Sequence, residues 1–258
     1  MTDSIYDESG FQIGIADPLV KEKKMHTARA IAITQPIIRR EPDKEMFDGN
    51  TLNPHMTADE FVAYVARVSN PDNQNNTLTA SKLLKYLVKH KHWSPFEMVN
   101  AVMEINTTRD IARQILRHRS FSFQEFSQRY ADPTKDLGFI TREARIQDEK
   151  NRQNSIEYDN PELQMAWRRK QEEVINNSQE AYDWAVRRGI AKEQARAVLP
   201  EGLTVSRLYM NGTVRSWVHY CHLRMANGTQ KEHREVALDC WYQLIEYFPS
   251  LKDINIES

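Results

Sequence analysis

The side chains with the greatest potential for ligand chemistry lie in the stretch 110–130. Apolar residues recur at helical spacing in its first half, which places Arg113, Gln114 and Arg117 on the opposite side of a helix. The two arginines stand four residues apart and repel each other mildly unless an anion lies between them. Basic residues in a last helical turn also complement the helix dipole on solvated surfaces, and the spacing alone leaves that alternative open.

The second half of the stretch, 120–130, alternates in the manner of an extended strand. Glu125, Ser127 and Arg129 then share one parity and point to one face, beside the end of the preceding helix. Guanidinium groups bind phosphates, whereas amide, carboxylate and hydroxyl groups bind the edge of a base or a sugar. The two halves together predict a nucleotide pocket.

The elements that must position this pocket indicate one α+β domain, rich in helices around an antiparallel sheet. Hydrophobic periodicity predicts strands over 28–38, 98–105, 120–130 and 203–209. The same reading predicts helices over 57–68, 78–90, 107–118, 161–188, 192–199 and 213–223. A last helix is predicted to begin at a capping box of Thr229 and Glu232. We assign 1–26 to an N-terminal tail or arm, 27–250 to the domain and 251–258 to a C-terminal tail.

The overall composition argues against several classes of partner. Lys and Arg (35) nearly balance Asp and Glu (36), so the basic surplus of a nucleic-acid or membrane-surface protein is missing. No window approaches the roughly 18 apolar residues that span a bilayer, and the acidic N-terminus does not resemble a signal peptide. Cys221 and Cys240 are expected to be buried thiols, which fits a reducing cytoplasm. No cluster has the spacing of a zinc site, and we expect no metal.

One pattern within 110–130 resembles the signature of a known family. Arg117-His118-Arg119 is followed, after seven further residues, by Ser127, as in the Arg-His-Arg-x7-Ser signature of flavin-dependent thymidylate synthases. Further elements resemble that family in the same order: Ala66-Arg67-Val68-Ser69, His92 to Glu97, Ala195 to Pro200, Leu223-Arg224, and Thr229 to Arg234 against the pattern Ala-Gln-x-Glu-Ile-Arg. The sequence departs from the family at Gln124 and His222, where asparagine is expected.

The resemblance implies a thymidylate synthase-complementing type of fold, assembled as a homotetramer whose active sites are shared between subunits. It implies an FAD site formed by His92, Ser94, Arg117, His118, Arg119, Glu125, His222, Arg224 and Asn227. It implies a dUMP site formed by Gln114, Arg117, Glu125, Phe126, Ser127, Gln128, Arg129, Arg196 and Arg234.

The implied reaction is the reductive methylation of dUMP to dTMP, with methylenetetrahydrofolate as one-carbon donor and NADPH as the reductant of FAD. Arg234 is implied to be the catalytic residue, because it would stabilise negative charge on the uracil ring as N3 ionises. An ion pair with a glutamate is the structural alternative for an inward arginine there. The family needs no cysteine nucleophile, and the absence of a Gly-x-Gly-x-x-Gly motif argues against a Rossmann site for the flavin.

Two rival interpretations belong to different classes. A non-catalytic nucleic-acid-binding module would use the arginines of 110–130 with Phe121, Phe123 and Tyr130 for stacking. The balanced net charge opposes that interpretation, and it would place Glu125 against phosphate. A flavoenzyme of the same family could instead transfer a different one-carbon group to dUMP, such as hydroxymethyl, and analysis of the product distinguishes the two.

Overall fold

The computed structural model describes residues 5–6, 12–13, 25–36 and 56–252 of the chain. Ile5–Tyr6 (β1) pairs antiparallel with Gln12–Ile13 (β2). The rest of the predicted N-terminal tail before residue 25, and the predicted C-terminal tail from residue 253, lie outside the described residues. His26 is buried with its Nδ1 2.8 Å from Thr107 Oγ1, and Leu251 packs in the core. Buried residues therefore extend one position beyond each predicted end of the domain, at His26 and Leu251.

The strands that follow are Thr27–Ile33 (β3), Asn100–Thr108 (β4), Ser122–Glu125 (β5), Arg145–Gln147 (β6), Ser155–Glu157 (β7) and Val205–Thr213 (β8). Four of them form an antiparallel sheet in the order β3-β4-β8-β5, which confirms the predicted α+β class. The predicted strand 203–209 runs on to Thr213. β6 and β7 form a separate hairpin within the charged segment that precedes the longest helix.

The helices are Ala58–Ala66 (α1), Ala80–Lys89 (α2), Arg109–Ile115 (α3), Pro133–Asp136 (α4), Pro161–Arg187 (α5), Lys192–Ala195 (α6), Val214–Met225 (α7) and Lys231–Tyr247 (α8). The predicted helices are confirmed, with 192–199 divided into α6 and the 3-10 turn Arg196–Val198. Within the described ranges, no helix combines the length and the apolar character needed to cross a membrane.

Two helix starts carry the capping-box pattern, and only one of them forms the box. Thr57 and Glu60 cap α1 reciprocally, with each side chain accepting a hydrogen bond from the backbone N–H of the other residue. The box predicted from Thr229 and Glu232 is wrong, because Gln230 is the N-cap of α8 and no side chain caps it. Glu232 is buried instead and pairs with Arg145 of β6.

The core places the sheet beneath the stretch 110–130, which carries candidate ligand-binding residues. α7 packs against α8, and α8 also contacts β3 and β4. Trp217 of α7 is fully buried and donates its indole N–H to the carbonyl of Ala101, at 3.0 Å. Phe121 lies against β8 so closely that a Cβ on Gly212 would be 2.3 Å from its ring, which explains the glycine there. This contact anchors the chain immediately after the Arg-His-Arg segment.

Candidate active site

Helix α3 sets the position of the first candidate residues. It buries Ile111, Ala112 and Ile115 in the core and carries Arg113 and Gln114 on the opposite side, as the spacing predicts. The chain then turns out of the helix, so Arg117 and Arg119 are exposed. Neither guanidinium forms an ion pair with a carboxylate in the described part of the chain. Two cations at the end of a core helix are therefore available to an anionic ligand.

His118 lies between these arginines and faces the protein instead. Its Nε2 accepts a hydrogen bond from Nε of Arg224, at 2.9 Å, and its ring meets Tyr220 edge-on with centroids 4.9 Å apart. Burial, followed by the charges of Arg224 and Arg117, lowers the pKa of His118 to about 4. The imidazole is neutral at physiological pH, and its acceptor nitrogen orients the guanidinium of Arg224. The structure thus joins two of the predicted flavin residues, His118 and Arg224.

Gln114 belongs to a buried hydrogen-bonded group that includes the start of α8. Its Oε1 is 3.2 Å from Nδ1 of His233, and its Nε2 donates to Oε1 of Gln230 at 2.8 Å. The hydroxyl of Tyr220 is 3.1 Å from the other nitrogen of His233. Burial, with the charges of Arg224, His118 and Arg117, lowers the pKa of His233 to about 3, so this ring is also neutral.

Arg234 follows His233 on α8 and is half-buried. It lines a small cavity of about 60 Å³ together with residues of the β6–β7 hairpin. No carboxylate among the described residues lies within ion-pair distance of its guanidinium. Glu157 accepts a 2.7 Å hydrogen bond from Lys231, which lowers the pKa of that carboxyl group more than Arg234 does. The described residues therefore do not provide the glutamate partner that the structural alternative requires. A half-buried arginine without a carboxylate partner is expected to serve a ligand.

Glu125, at the end of β5, is balanced by protein groups. Oε1 accepts a hydrogen bond from Ser206 Oγ at 2.9 Å and lies 3.5 Å from the buried Arg109, while Oε2 lies 3.7 Å from Arg113. The carboxylate therefore engages Arg113, the neighbour of Gln114, and does not draw Arg117 into an ion pair. The sequence analysis did not select Arg109. The signal that could have found it is its position in the first turn of a helix, where the helix dipole disfavours a basic residue.

The predicted extended face of Glu125, Ser127 and Arg129 is wrong. The strand ends at Glu125, and a turn follows in which Tyr130 N–H donates to the carbonyl of Ser127. Arg129 instead reaches α6, where its Nε is 3.3 Å from a carboxylate oxygen of Glu193. Arg196 donates to the backbone carbonyl of the same glutamate at 3.2 Å. The turn therefore brings two predicted substrate arginines to one place by a route that strand alternation does not show.

The three residues between Glu125 and Arg129 connect the end of β5 to this turn. Phe126 is half-buried, and its backbone N–H donates to the carbonyl of Arg207 at 2.8 Å. Gln128 is buried, and its Nε2 has no hydrogen-bond partner among the described residues. Ser127 Oγ accepts only a long hydrogen bond, 3.4 Å, from the backbone of Arg129, and no basic side chain of the described residues activates it. Ser127 is placed to bind and not to attack.

Four predicted flavin residues lie apart from this group. His92 and Ser94 are exposed in the turn that follows α2, and Asn227 is exposed between α7 and α8. His222 of α7 has its ring edge-on to Trp241 at 5.0 Å, and its Nε2 is buried without a partner among the described residues. None of the four hydrogen-bonds to the Arg117 or Gln114 groups within the described chain. The described part of one chain therefore gathers only part of the predicted set.

The donors that remain open suit anionic ligands. Arg117 and Arg119 can bind phosphate oxygens, and the partnerless amide of Gln128 can bind a carbonyl or phosphate oxygen. No cluster of His, Cys, Asp and Glu among the described residues could hold a metal ion. Sheet, helices and open arginines define the class: an α+β protein whose candidate site offers open cationic and amide donors.

The chain belongs to the Thy1 family, the thymidylate synthase complementing proteins, whose model matches residues 51–250. It is 46% identical to a probable flavin-dependent thymidylate synthase of Paramecium bursaria Chlorella virus 1, over 87% of this chain and 96% of that protein. It is 46% identical to the flavin-dependent thymidylate synthase of a Synechocystis species, over 86% of this chain and 96% of that protein.

A solved structure supports the fold. The UMP/dUMP methylase PolB from Streptomyces cacaoi, bound with 5-Br UMP, superposes with a TM-score of 0.68 at 23% identity. The match covers 87% of this chain and 91% of that one. The predicted thymidylate synthase-complementing type of fold is thereby confirmed.

Proposed function

We propose that this chain is a flavin-dependent thymidylate synthase that methylates dUMP to dTMP, using FAD, NADPH and methylenetetrahydrofolate. The observation that carries the proposal is the half-buried Arg234, without a described carboxylate partner, beside the buried group that holds Gln114. Flavin dependence agrees with the curated relatives at 46% identity. The balanced charge of the chain and the engagement of Glu125 by two arginines oppose a nucleic-acid module.

In this proposal the substrate phosphate is bound where Arg129 and Arg196 converge. Both arginines contact Glu193, which brings their guanidinium groups to one place before the phosphate arrives. Ser127 and the open amide of Gln128 add donors from the same turn. A dianionic phosphate outcompetes the exposed carboxylate of Glu193 for Arg129, and its backbone carbonyl for Arg196, because charge-assisted bidentate contacts are stronger.

The uracil ring is placed against Arg234 and Gln114. Arg234 donates to the ring where negative charge develops on ionisation of N3, and it favours that state over the neutral ring. FAD, when bound, supplies the hydride chemistry, and Arg117, His118, Arg119 and Arg224 would hold it with His92, Ser94, His222 and Asn227. Because His118 is neutral, Arg224 retains a full positive charge toward the cofactor.

The cysteines support a mechanism without a thiol nucleophile. Cys221 and Cys240 are fully buried, and burial raises the pKa of both thiols above the ordinary value. A thiol in this environment is neither ionised nor accessible to a uracil ring. Two free buried thiols also support our placement of the protein in a reducing cytoplasm.

The visible spectrum of the purified protein tests this function. We expect the protein to bind FAD and the flavin to bleach under anaerobic NADPH at a rate that dUMP alters, because both ligands occupy one site. Mass analysis of the nucleotide after addition of methylenetetrahydrofolate should then give dTMP. A colourless protein that does not bind FAD would contradict the proposal, and a hydroxymethylated product would identify the alternative transfer.

The same proposal includes a homotetramer with shared active sites. The 27-residue helix α5 carries large exposed apolar side chains: Met165, Trp167, Val174 and Trp184. Such a surface on one helix is typical of an interface. We expect light scattering after size exclusion to give four times the chain mass, and Trp167→Glu with Trp184→Glu to lower it. Glu172→Gln, at an exposed polar position on the same helix, is the matched control. Gln179 is unsuitable for this purpose because its side chain donates to Thr134.

A further inference from the structure

A continuous line of hydrogen-bonded side chains runs beneath the site from α7 to the β6–β7 hairpin. Tyr220 contacts His233, His233 contacts Gln114, and Gln114 contacts Gln230. Gln230 Nε2 then donates to Oε2 of Glu232 at 2.9 Å, and the other oxygen of that carboxylate accepts from Arg145 at 2.5 Å. The proposed function uses only one member of this line, Gln114.

The ion pair at one end determines the direction of every hydrogen bond in the line. Ionised Glu232, held by Arg145, can only accept, so Gln230 must present its NH₂ to it. The carbonyl of Gln230 then faces Gln114, which must present its own NH₂ there and direct its Oε1 to His233. The imidazole must therefore donate from Nδ1, and its Nε2 must accept from the hydroxyl of Tyr220.

We propose that His233 is a positioning residue for substrate binding: its Nδ1–H holds the carbonyl of Gln114 inward and turns one N–H of Gln114 toward the nucleotide. The amide of Gln114 has two N–H donors, and Gln230 uses one of them. The remaining N–H fits an oxygen acceptor of the nucleotide. A flipped amide would present its carbonyl instead and would repel the same oxygen.

His233 is buried and makes no direct approach to solvent. The family pattern Ala-Gln-x-Glu-Ile-Arg, which this segment resembles, has isoleucine at that position, and isoleucine cannot orient an amide. Tyr220 is almost fully buried, and its hydroxyl donates to the unprotonated Nε2 of this tautomer. The inference rests on the proposed function, because it takes dUMP as the ligand of Gln114.

Three substitutions of His233 separate orientation from packing. His233→Asn places an amide N–H where Nδ1 stands and can still hold Gln114, whereas His233→Gln places its amide near Tyr220 and His233→Ile has no donor. The measurement is the Kd of dUMP for the FAD-loaded protein by titration calorimetry, with the Kd of FAD and the thermal midpoint recorded for each variant.

We expect His233→Gln and His233→Ile to weaken dUMP binding about tenfold, and His233→Asn by less than about threefold, the scale of one oriented hydrogen bond. FAD affinity should stay within about twofold of wild type in all three. Equal dUMP affinity across the series, or a loss in His233→Asn as large as in His233→Ile, would overturn the inference.

Tyr220→Phe provides a second test that needs no change at His233. Loss of one hydroxyl leaves the buried Nε2 without its donor and the imidazole ring less firmly held, so the hydrogen bond from Nδ1 to Gln114 weakens. We expect about threefold weaker dUMP binding, and unchanged binding in this variant overturns the inference even if the His233 variants do not fold. If wild-type protein binds FAD but not dUMP, the proposed function fails, and the inference fails with it. If wild type binds dUMP and the variants do not differ, the inference alone fails.

Discussion

Arg234→Ala is expected to lower kcat/KM for dUMP by about a hundredfold to a thousandfold, the scale seen when a donor to a developing negative charge is removed. The guanidinium has no carboxylate partner among the described residues, so its loss leaves no described acid unpaired. We therefore expect the unfolding free energy to change by no more than about 1 kcal/mol. Steady-state dTMP formation and urea unfolding, measured on the same preparation, check both halves of this prediction.

Two companion variants define what the loss means. Arg234→Lys retains a charge but not the planar fork, and we expect it to recover only part of the activity. Lys82→Ala removes an exposed cation near the start of α2, which packs on α1, and should behave as wild type. Arg234→Ala with wild-type kcat/KM would remove this residue from the mechanism, and binding of dUMP without turnover would place its role in the chemical step.

Patterns that depend on local spacing predicted most of the fold. α5, α7 and α8 appear close to their predicted bounds because apolar residues recur at helical intervals and Pro161 occupies the first turn of α5. The capping box of Thr57 and Glu60 is likewise a local feature, since both partners lie within one turn. The side of α3 that carries Arg113 and Gln114 also follows from spacing alone.

Features that depend on distant partners were predicted less well. The pattern at Thr229 and Glu232 satisfies a capping rule, yet Glu232 is drawn to Arg145, 87 residues away, because the hairpin brings that guanidinium into a buried position. Strand alternation after Glu125 failed because the chain turns to bring Arg129 to Glu193. His233 and Tyr220 follow the inward stripe of their helices. The hydrogen bonds that join Tyr220 to His233 and His233 to Gln114 could not be predicted without knowing how three helices pack.

The buried pair of Glu232 and Arg145 is expected to be the most costly ionic contact to break in the described chain. Their side chains are only 7% and 10% exposed, and Glu232→Ala leaves the guanidinium with Glu143 alone, at 3.5 Å. Removing one member of a buried pair costs about 3–5 kcal/mol, because the other charge remains desolvated. Urea unfolding at pH 7.5 measures this loss, and Glu143→Ala, which removes the exposed partner, should cost less than about 1 kcal/mol.

The pH dependence distinguishes this pair from the histidines. Burial alone would raise the pKa of Glu232, but its backbone N–H and Arg145 outweigh burial and lower the pKa below the ordinary value of 4.5. Its stabilisation is therefore complete above pH 4.5 and is lost as the pH falls through the lowered value. His118 and His233 have pKa values of about 4 and about 3, lowered from 6.5, so they make wild type and variant alike less stable as the pH falls below 6.5. The difference between wild type and Glu232→Ala should hence stay constant from pH 7.5 to 5 and shrink only below about 4.5. A difference that already shrinks between pH 7 and 6 would assign the stabilisation to the histidines instead.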